Sequence, residues 1–420
     1  MTLTLVPPSP VLPAPVRPDP LGVLGVPGEI NLDHAASAPC ARAAADAVAG
    51  LLPWYASVHR GAGALSRRCT LAYERARQTV GDFLGARPDD HVIFTRNTTD
   101  ALNLLARALP PGTTVITFGG EHHANLLPWP RGSVRLPVPD SPAGAVRSLA
   151  AALGELARDA RPGLPVLVAV TGAGNVTGEC WPVAELARIA HRHGARILVD
   201  AAQLAPHAPV DLAALDVDYV ALSGHKLYAP FGAGVLAGRA DWLDAAPPYL
   251  AGGGATSHVG AATHEVRWTV GPARHEAGTP NLLGAVALAA VCAALGETDR
   301  QALHVREQAL LTRLRRGLAT LPDVVELRTF GPDAPRVGIV SFVVAGRDSG
   351  EVAAHLASRH RIGVRDGLFC AHPLTRRLLA EAAARTGRTD LPPTALRASL
   401  GLGTTETQVD ALLTALSHLP

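Results

Sequence analysis

Lysine is all but missing from this chain. Among 38 lysine and arginine residues in a 420-residue sequence, Lys226 is the only lysine, and every other such position is arginine. The heavy use of Ala, Gly, Pro and Arg marks a coding bias that replaces lysine wherever a positive charge suffices. The single exception therefore points to a position that needs an amine. A guanidinium stays protonated and forms no Schiff base, whereas a partly buried lysine loses its proton and attacks carbonyls. A leftover surface lysine is the plain alternative.

Other absences exclude whole classes. Cysteines stand at 40, 69, 180, 292 and 370, an odd number with no CxxC pair; free thiols in a reducing cytoplasm are expected, not a disulfide framework. Neither Glu121-His-His123 nor His191-Arg-His193 has a second ligand pair at zinc spacing, so no metal is expected. The net charge is only +2, with no run of like charge, which speaks against a nucleic-acid surface. No apolar stretch is long enough to span a membrane; the best, Leu282–Leu295, is short and contains Gly284. Gly22, Gly25 and Gly28 do not form GxGxxG, and no strand precedes them. The first twenty residues lack a basic start and an apolar run, and carry Pro at 7, 8, 10, 13, 15, 18 and 20. Residues 1–28 therefore read as a flexible proline-rich tail.

What is present is the pattern of an α/β enzyme. Hydrophobic residues make up 48% of the chain and charged residues 18%, enough for a large core. After a short strand and turn at 30–39, helices are expected over 41–52 and 67–84 with a loop at 54–66. Between Val92 and Leu236 short β-rich runs alternate with helices: 91–94, 115–118, 134–136, 165–170, 196–199, 219–222 and 234–236. Such alternation predicts a largely parallel seven-stranded sheet covered on both faces. A Gly-rich stretch at 251–256 leads into a loop ending at His275-Glu-Ala-Gly-Thr-Pro280. Helices at 282–295 and 301–321 then lead to a smaller α+β domain. Its strands are expected at 337–344, 362–364 and 396–399, its helices near 349–360, 372–385 and 405–418. A large domain over 29–295 and a small one over 296–420 follow.

The chemistry gathers at strand ends. Lys226 lies just past the apolar run Asp218–Leu222, and Asp200 directly follows Ile197-Leu-Val199. Groups at the carboxyl ends of parallel strands project into the ligand crevice. Asp200 reads equally as a helix cap in Asp200-Ala-Ala-Gln203 and as a carboxylate holding a proton on a pyridine nitrogen. Thr98 and Thr99, in Thr95-Arg-Asn-Thr-Thr-Asp100 before an apolar helix, are either caps or ligands of a phosphate.

Taken together, Val199-Asp-Ala-Ala-Gln203 and Ser223-Gly-His-Lys-Leu-Tyr228 resemble fold-type I enzymes that use pyridoxal 5'-phosphate (PLP), in particular the class V aminotransferase and cysteine desulfurase superfamily. The resemblance runs from Asn31 to Leu416. It implies that Lys226 holds PLP as a Schiff base and shuttles the substrate proton, while Asp200 pairs with the ring nitrogen and Gln203 with the phenolic oxygen. It further implies that His123 stacks on the ring and that Asn175, otherwise a turn asparagine, approaches the phenolic side. Ser223 and His225 would join Thr98 and Thr99 around the phosphate. Gly278 and Thr279 would reach the phosphate of a partner subunit, making a homodimer with shared sites. Arg397 would clamp the substrate α-carboxylate, and His59, Arg60 and Arg365 would line the substrate side.

Cys370, in Val364-Arg-Asp-Gly-Leu-Phe-Cys-Ala-His-Pro373, resembles the catalytic-cysteine loop of the desulfurase class that includes selenocysteine lyases. There the thiol takes sulfur from cysteine as a persulfide and releases alanine, and passes the sulfur to an acceptor protein. A buried structural thiol is the alternative. Close relatives of that class carry paired histidines before the cysteine and another after the early Arg-Gly; here Leu368-Phe369 and Gly63 stand instead, and the stretch from 371 to 396 is longer. The expectation is a dimeric L-cysteine desulfurase, with a carbon-sulfur lyase, aminotransferase or epimerase in which Cys370 is incidental as the other reading.

Overall fold

The computed structural model describes residues 19–159, 164–262 and 264–419. Most of the expected tail, residues 1–18, lies outside them. Its last ten residues do not form a tail. Leu21 is buried in the main core, Val23 bridges Ala41, and the Leu24 N–H donates to the Cys40 carbonyl at 2.8 Å.

In chain order the elements begin with β1 (Ile30–Asn31), α1 (Arg42–Leu51) and α2 (Ala64–Phe83). Next come β2 (Asp90–Thr95), α3 (Thr98–Ala108), β3 (Thr114–Phe118), β4 (Val134–Leu136), α4 (Pro142–Asp159), β5 (Val166–Thr171), α5 (Val183–Arg192), β6 (Arg196–Asp200), β7 (Tyr219–Ser223), β8 (Gly234–Arg239) and α6 (Ala240–Ala245). A hairpin of β9 (Thr256–Val259) and β10 (Val266–Trp268) precedes α7 (Leu282–Gly296) and α8 (Arg300–Ala319). The chain closes with β11 (Val324–Glu326), β12 (Ile339–Val344), α9 (Ser349–His360), β13 (Ile362–Gly363), β14 (Arg365–Gly367), α10 (His372–Thr386), β15 (Ala395–Ser399) and α11 (Glu406–Ser417).

Seven strands form one sheet in the order β2-β8-β7-β6-β5-β3-β4. The pairings from β4 to β7 are parallel, and β8 runs antiparallel to both of its neighbours. Successive side chains leave a strand on opposite faces, and the two helical layers divide accordingly. Val168, Val170, Ile197, Val199, Val220 and Leu222 pack with α1, α2, α4, α5 and α7. Leu167, Ala169, Leu198, Tyr219 and Ala221 pack on the other side with α3 and α6. The sheet's burial on both faces explains why its strands read as continuous apolar runs.

A second, four-stranded antiparallel sheet has the order β11-β12-β15-β14. One face packs on α8, α9 and α11 through Val340, Phe342, Leu396 and Ala398. Val343 and Ala395 face the other way, against α10, Phe369 and Ala371. Three expectations need correction here. The loop predicted to end at Pro280 contains the β9–β10 hairpin, β11 and β14 are additional strands, and β13 pairs in parallel with the distant β1. Among the described residues no single helix is long and apolar enough to cross a membrane.

Candidate active site

Parallel strands β5, β6 and β7 end side by side at Thr171, Asp200 and Ser223, and the turns that follow them open into a cavity of about 440 Å³. Its floor is fixed by close backbone approaches that only glycine permits. A Cβ at Gly224 would stand 2.7 Å from the Ala233 carbonyl oxygen, and one at Gly234 2.5 Å from the Asn97 Cα. The second approach seats the N-terminus of α3 directly beside the end of β7. Asn97, not either threonine, caps that helix by accepting from the Asp100 N–H at 3.0 Å. Thr98 instead joins Ser223: its N–H donates to Ser223 Oγ at 2.8 Å, and the two hydroxyls lie 2.7 Å apart. With Thr99 exposed beside them and His225 on the same wall, hydroxyls and helix-terminal amides make a seat for an anion.

Lys226 stands half-buried in the same cavity. Burial, helped by the Arg397 charge, pushes its amine down to about 8 against the pull of Asp200 and Cys370. Asp200 is 5% exposed, and burial raises its carboxyl above the usual range although the Ala202 N–H donates to it at 3.0 Å. No helix follows Asp200, so the capping alternative falls away. Gln203 is buried with its amide donating to the Ala35 carbonyl at 2.8 Å.

The opposite wall comes from the second sheet. Arg397 on β15 is 4% exposed, donates from Nη1 to the Asn175 carbonyl at 2.9 Å and lies 3.3 Å from Asp33. Its Nε is buried with no partner among the described residues. Arg365 on β14 sits opposite Arg397 in register, exposed at the cavity. Cys370 follows on a turn between β14 and α10. Phe369 and Ala371 are buried on either side while Cys370 is exposed, with φ of 53° at Phe369 and 51° at Cys370. Asn175 ties the turn down by donating from its side chain to the Phe369 carbonyl at 2.7 Å.

Two groups of expected residues are placed otherwise. His122, not His123, lines the cavity. A 3-10 turn begins at His123, and His122 Nδ1 accepts the Ala124 N–H at 3.0 Å, which turns His122 inward. Burial and the Lys226 charge push the His122 imidazole down to about 4, so it is neutral. His59, Arg60 and Gly278 lie instead on a second cavity of about 460 Å³ beside Glu74 and Arg77, with His59 Nε2 held 2.7 Å from Glu74. Thr279 lines an adjoining cavity with Tyr73 and Tyr249. Sequence reasoning also passed over Glu121. It is buried, its carboxyl is pushed up to about 8 by burial, and it accepts from Thr171 N–H and from the Asn125 side chain, bracing the His122 segment against β5. Only its place before two histidines marked it.

The residues present fit PLP. A carboxylate buried at Asp200 suits a cation such as a protonated ring nitrogen, the α3 terminus with Ser223 suits a phosphate, and burial lowers the Lys226 amine to about 8.

Residues 30–412 match the family model for Aminotransferase class-V, and the chain belongs to that family. Within it, the chain is 37% identical over 401 residues to the cysteine desulfurase of Dickeya dadantii (strain 3937), covering 92% of this chain and 91% of that relative. It is 35% identical over 403 residues to the cysteine desulfurase of Klebsiella pneumoniae (strain 342), with 92% of each covered. Among solved structures, the cysteine desulfurase CsdA from Escherichia coli superposes with a TM-score of 0.76 at 32% identity, over 93% of this chain and 94% of that one. The cysteine desulfurase from Thermococcus onnurineus NA1 gives a TM-score of 0.79 at 32% identity over the same shares. The fold is thus the expected α/β arrangement of fold type I.

Proposed function

We propose that the protein is a PLP-dependent L-cysteine desulfurase that moves sulfur from L-cysteine to Cys370 and releases L-alanine. The observation that carries this reading is a single cavity with the chain's only lysine on one wall and an exposed cysteine on the other. Lys226 would hold PLP, with Asp200 at the ring nitrogen, Gln203 and Asn175 on the phenolic side, His122 at the ring face, and Thr98, Thr99, Ser223 and His225 at the phosphate. When bound there, PLP supplies the electron sink that lets the substrate Cα proton leave.

The chain's own residues do the rest. Arg397, whose Nε has no partner among the described residues, and Arg365 hold the substrate carboxylate. Lys226, whose amine burial lowers to about 8, takes the Cα proton in its unprotonated form and later returns one to the product. Cys370, exposed at the cavity, attacks the substrate sulfur as a thiolate, the nucleophilic form of a thiol. An S–S bond forms, the substrate C–S bond breaks, and its electron pair stays with carbon, which is protonated to alanine. Cysteine plus thiol gives alanine plus persulfide with no external oxidant. A second thiol, free or on an acceptor protein, then removes the sulfur.

His59, Arg60, Gly278 and Thr279 find their use in a homodimer, where their cavities would adjoin the partner's Lys226 cavity. Residues 29–295 form the cofactor-binding unit in this reading and 296–420 the unit carrying Cys370, and the free thiols suit a reducing cytoplasm. The test is product analysis with L-cysteine and a thiol reductant, wild type beside Cys370→Ala. Alanine and sulfide that vanish in the variant support the reading; pyruvate and sulfide from both proteins overturn it in favour of a lyase.

A further inference from the structure

His123 was expected on the cofactor, yet its ring is engaged elsewhere. Its backbone N–H donates to the Cys370 carbonyl at 2.8 Å, and its Nε2 accepts the His372 N–H at 3.3 Å. One residue thereby grips the chain on both sides of Ala371. The His123 and His372 rings also meet edge to face, with centroids 4.6 Å apart and planes at 71°. The grip falls on strained backbone, because Phe369 and Cys370 both occupy the left-handed region, which non-glycine residues hold only when their surroundings enforce it. An Nε2 that accepts a hydrogen bond must be unprotonated, which places the ring proton on Nδ1. An imidazolium would instead turn an N–H toward an N–H.

We propose that His123 is a positioning residue for Cys370, whose neutral imidazole clamps the 370–372 turn and whose protonation releases it. Its bearing on sulfur transfer rests on reading Cys370 as the sulfur acceptor; the clamp itself does not. The ionisable groups around His123 are few. Glu121 and His122 are on its own segment, the former accepting from the Asn125 side chain and the Thr171 N–H, and His372 and Cys370 are on the gripped turn. From α3, which packs on the same 3-10 turn, Asp100 is engaged by Arg96 and Tyr249, and Arg107 lies over the Tyr249 ring. β5, also in contact, brings no ionisable side chain. Burial, with the neighbouring His372, holds the His123 imidazole below its ordinary range. The neutral, clamping form thus prevails at neutral pH, and the clamp opens as pH falls through that lowered value.

Hydrogen exchange of the 368–375 peptide in the PLP-loaded protein, without substrate, reads the clamp directly. His123→Phe keeps a ring but loses the acceptor, and His123→Gln supplies an amide oxygen in its place. We expect exchange of this peptide to rise roughly fivefold in the Phe variant, the loss of about one hydrogen bond, and to return close to wild type with Gln. The wild-type to Gln exchange ratio should rise as pH falls below neutrality, because the two proteins share every neighbouring ionisable group and differ only in whether residue 123 titrates. Wild-type exchange in the Phe variant, or a ratio that stays flat with pH, overturns the proposal. Should the Phe variant lose its fold by circular dichroism, the Gln ratio still decides. Because no turnover is measured, a desulfurase reading that fails product analysis leaves this result standing, and the reverse holds too.

Discussion

Lys226 and Cys370 face one cavity from turns of opposite construction. The lysine turn is backbone work: Gly224 N–H donates to the Ala233 carbonyl at 2.8 Å, Ala229 N–H to Gly224 at 2.9 Å, and Ala38 N–H to His225 at 2.9 Å. It is an extension of β7 and inherits the rigidity of a sheet buried on both faces. The cysteine turn has two backbone bonds of its own, His123 N–H to the Cys370 carbonyl at 2.8 Å and Ala371 N–H to the Leu368 carbonyl at 2.9 Å, but leans in addition on side chains: Asn175 on the Phe369 carbonyl, Thr375 on the Leu368 carbonyl at 3.2 Å, and His123 on the His372 N–H. The sheet itself therefore secures the lysine end, while the cysteine end depends more on side-chain contacts that can be removed one at a time. Variants should separate the two ends accordingly.

The largest effect is expected at the lysine. Lys226→Arg keeps the charge that every other basic position carries as arginine, yet it should lower alanine formation by about 10⁴-fold or more and abolish the yellow absorbance of bound cofactor. An arginine variant that stays yellow and active would contradict the assignment of Lys226. Next comes Cys370→Ala, which should cut alanine formation by roughly 10³-fold while the absorbance stays unchanged. Loss of both signals would mean that the two ends are not separable. Asn175→Ala removes one tie of the cysteine turn and one side chain of the cofactor wall. A drop of about tenfold in turnover is expected, the worth of one buried hydrogen bond; a drop as deep as that of Cys370→Ala would make Asn175 more than an anchor.

The smallest perturbation is pH. Only the unprotonated Lys226 amine can react with PLP, and it titrates at about 8, so the rate of PLP uptake by the apoprotein should climb with pH and level off above about 8. A rise continuing toward the ordinary lysine value of 10.5 would show an amine that the cavity does not perturb.

Much of the lysine wall of the cavity was legible in the sequence because the same features encode both the strands and the residues at their ends. Apolar strands buried on two faces read as runs, and Asp200, Ser223 and Lys226 sit immediately past them. The solitary lysine needed no fold at all. What escaped depended on distance or on a single peptide's rotation. The β9–β10 hairpin is short, its first strand is mostly exposed, and it carries no apolar alternation to announce it. β13 finds β1 more than three hundred residues away, and Leu21 is drawn from a proline-rich stretch into the main core. His122 and His123 are chemically identical neighbours; the start of a 3-10 turn decides which one faces the cavity. His59 and Arg60 keep the expected residue types, but one chain folds them away from Lys226.

The central claim is that sulfur passes through Cys370. Mass spectrometry of the peptide carrying Cys370, after the PLP-loaded protein meets L-cysteine without reductant, tests it most directly. The account predicts a gain of one sulfur atom on Cys370, and none on Cys40, Cys69, Cys180 or Cys292, in step with one alanine released per site. An unmodified Cys370 alongside continued release of sulfide and pyruvate would contradict it.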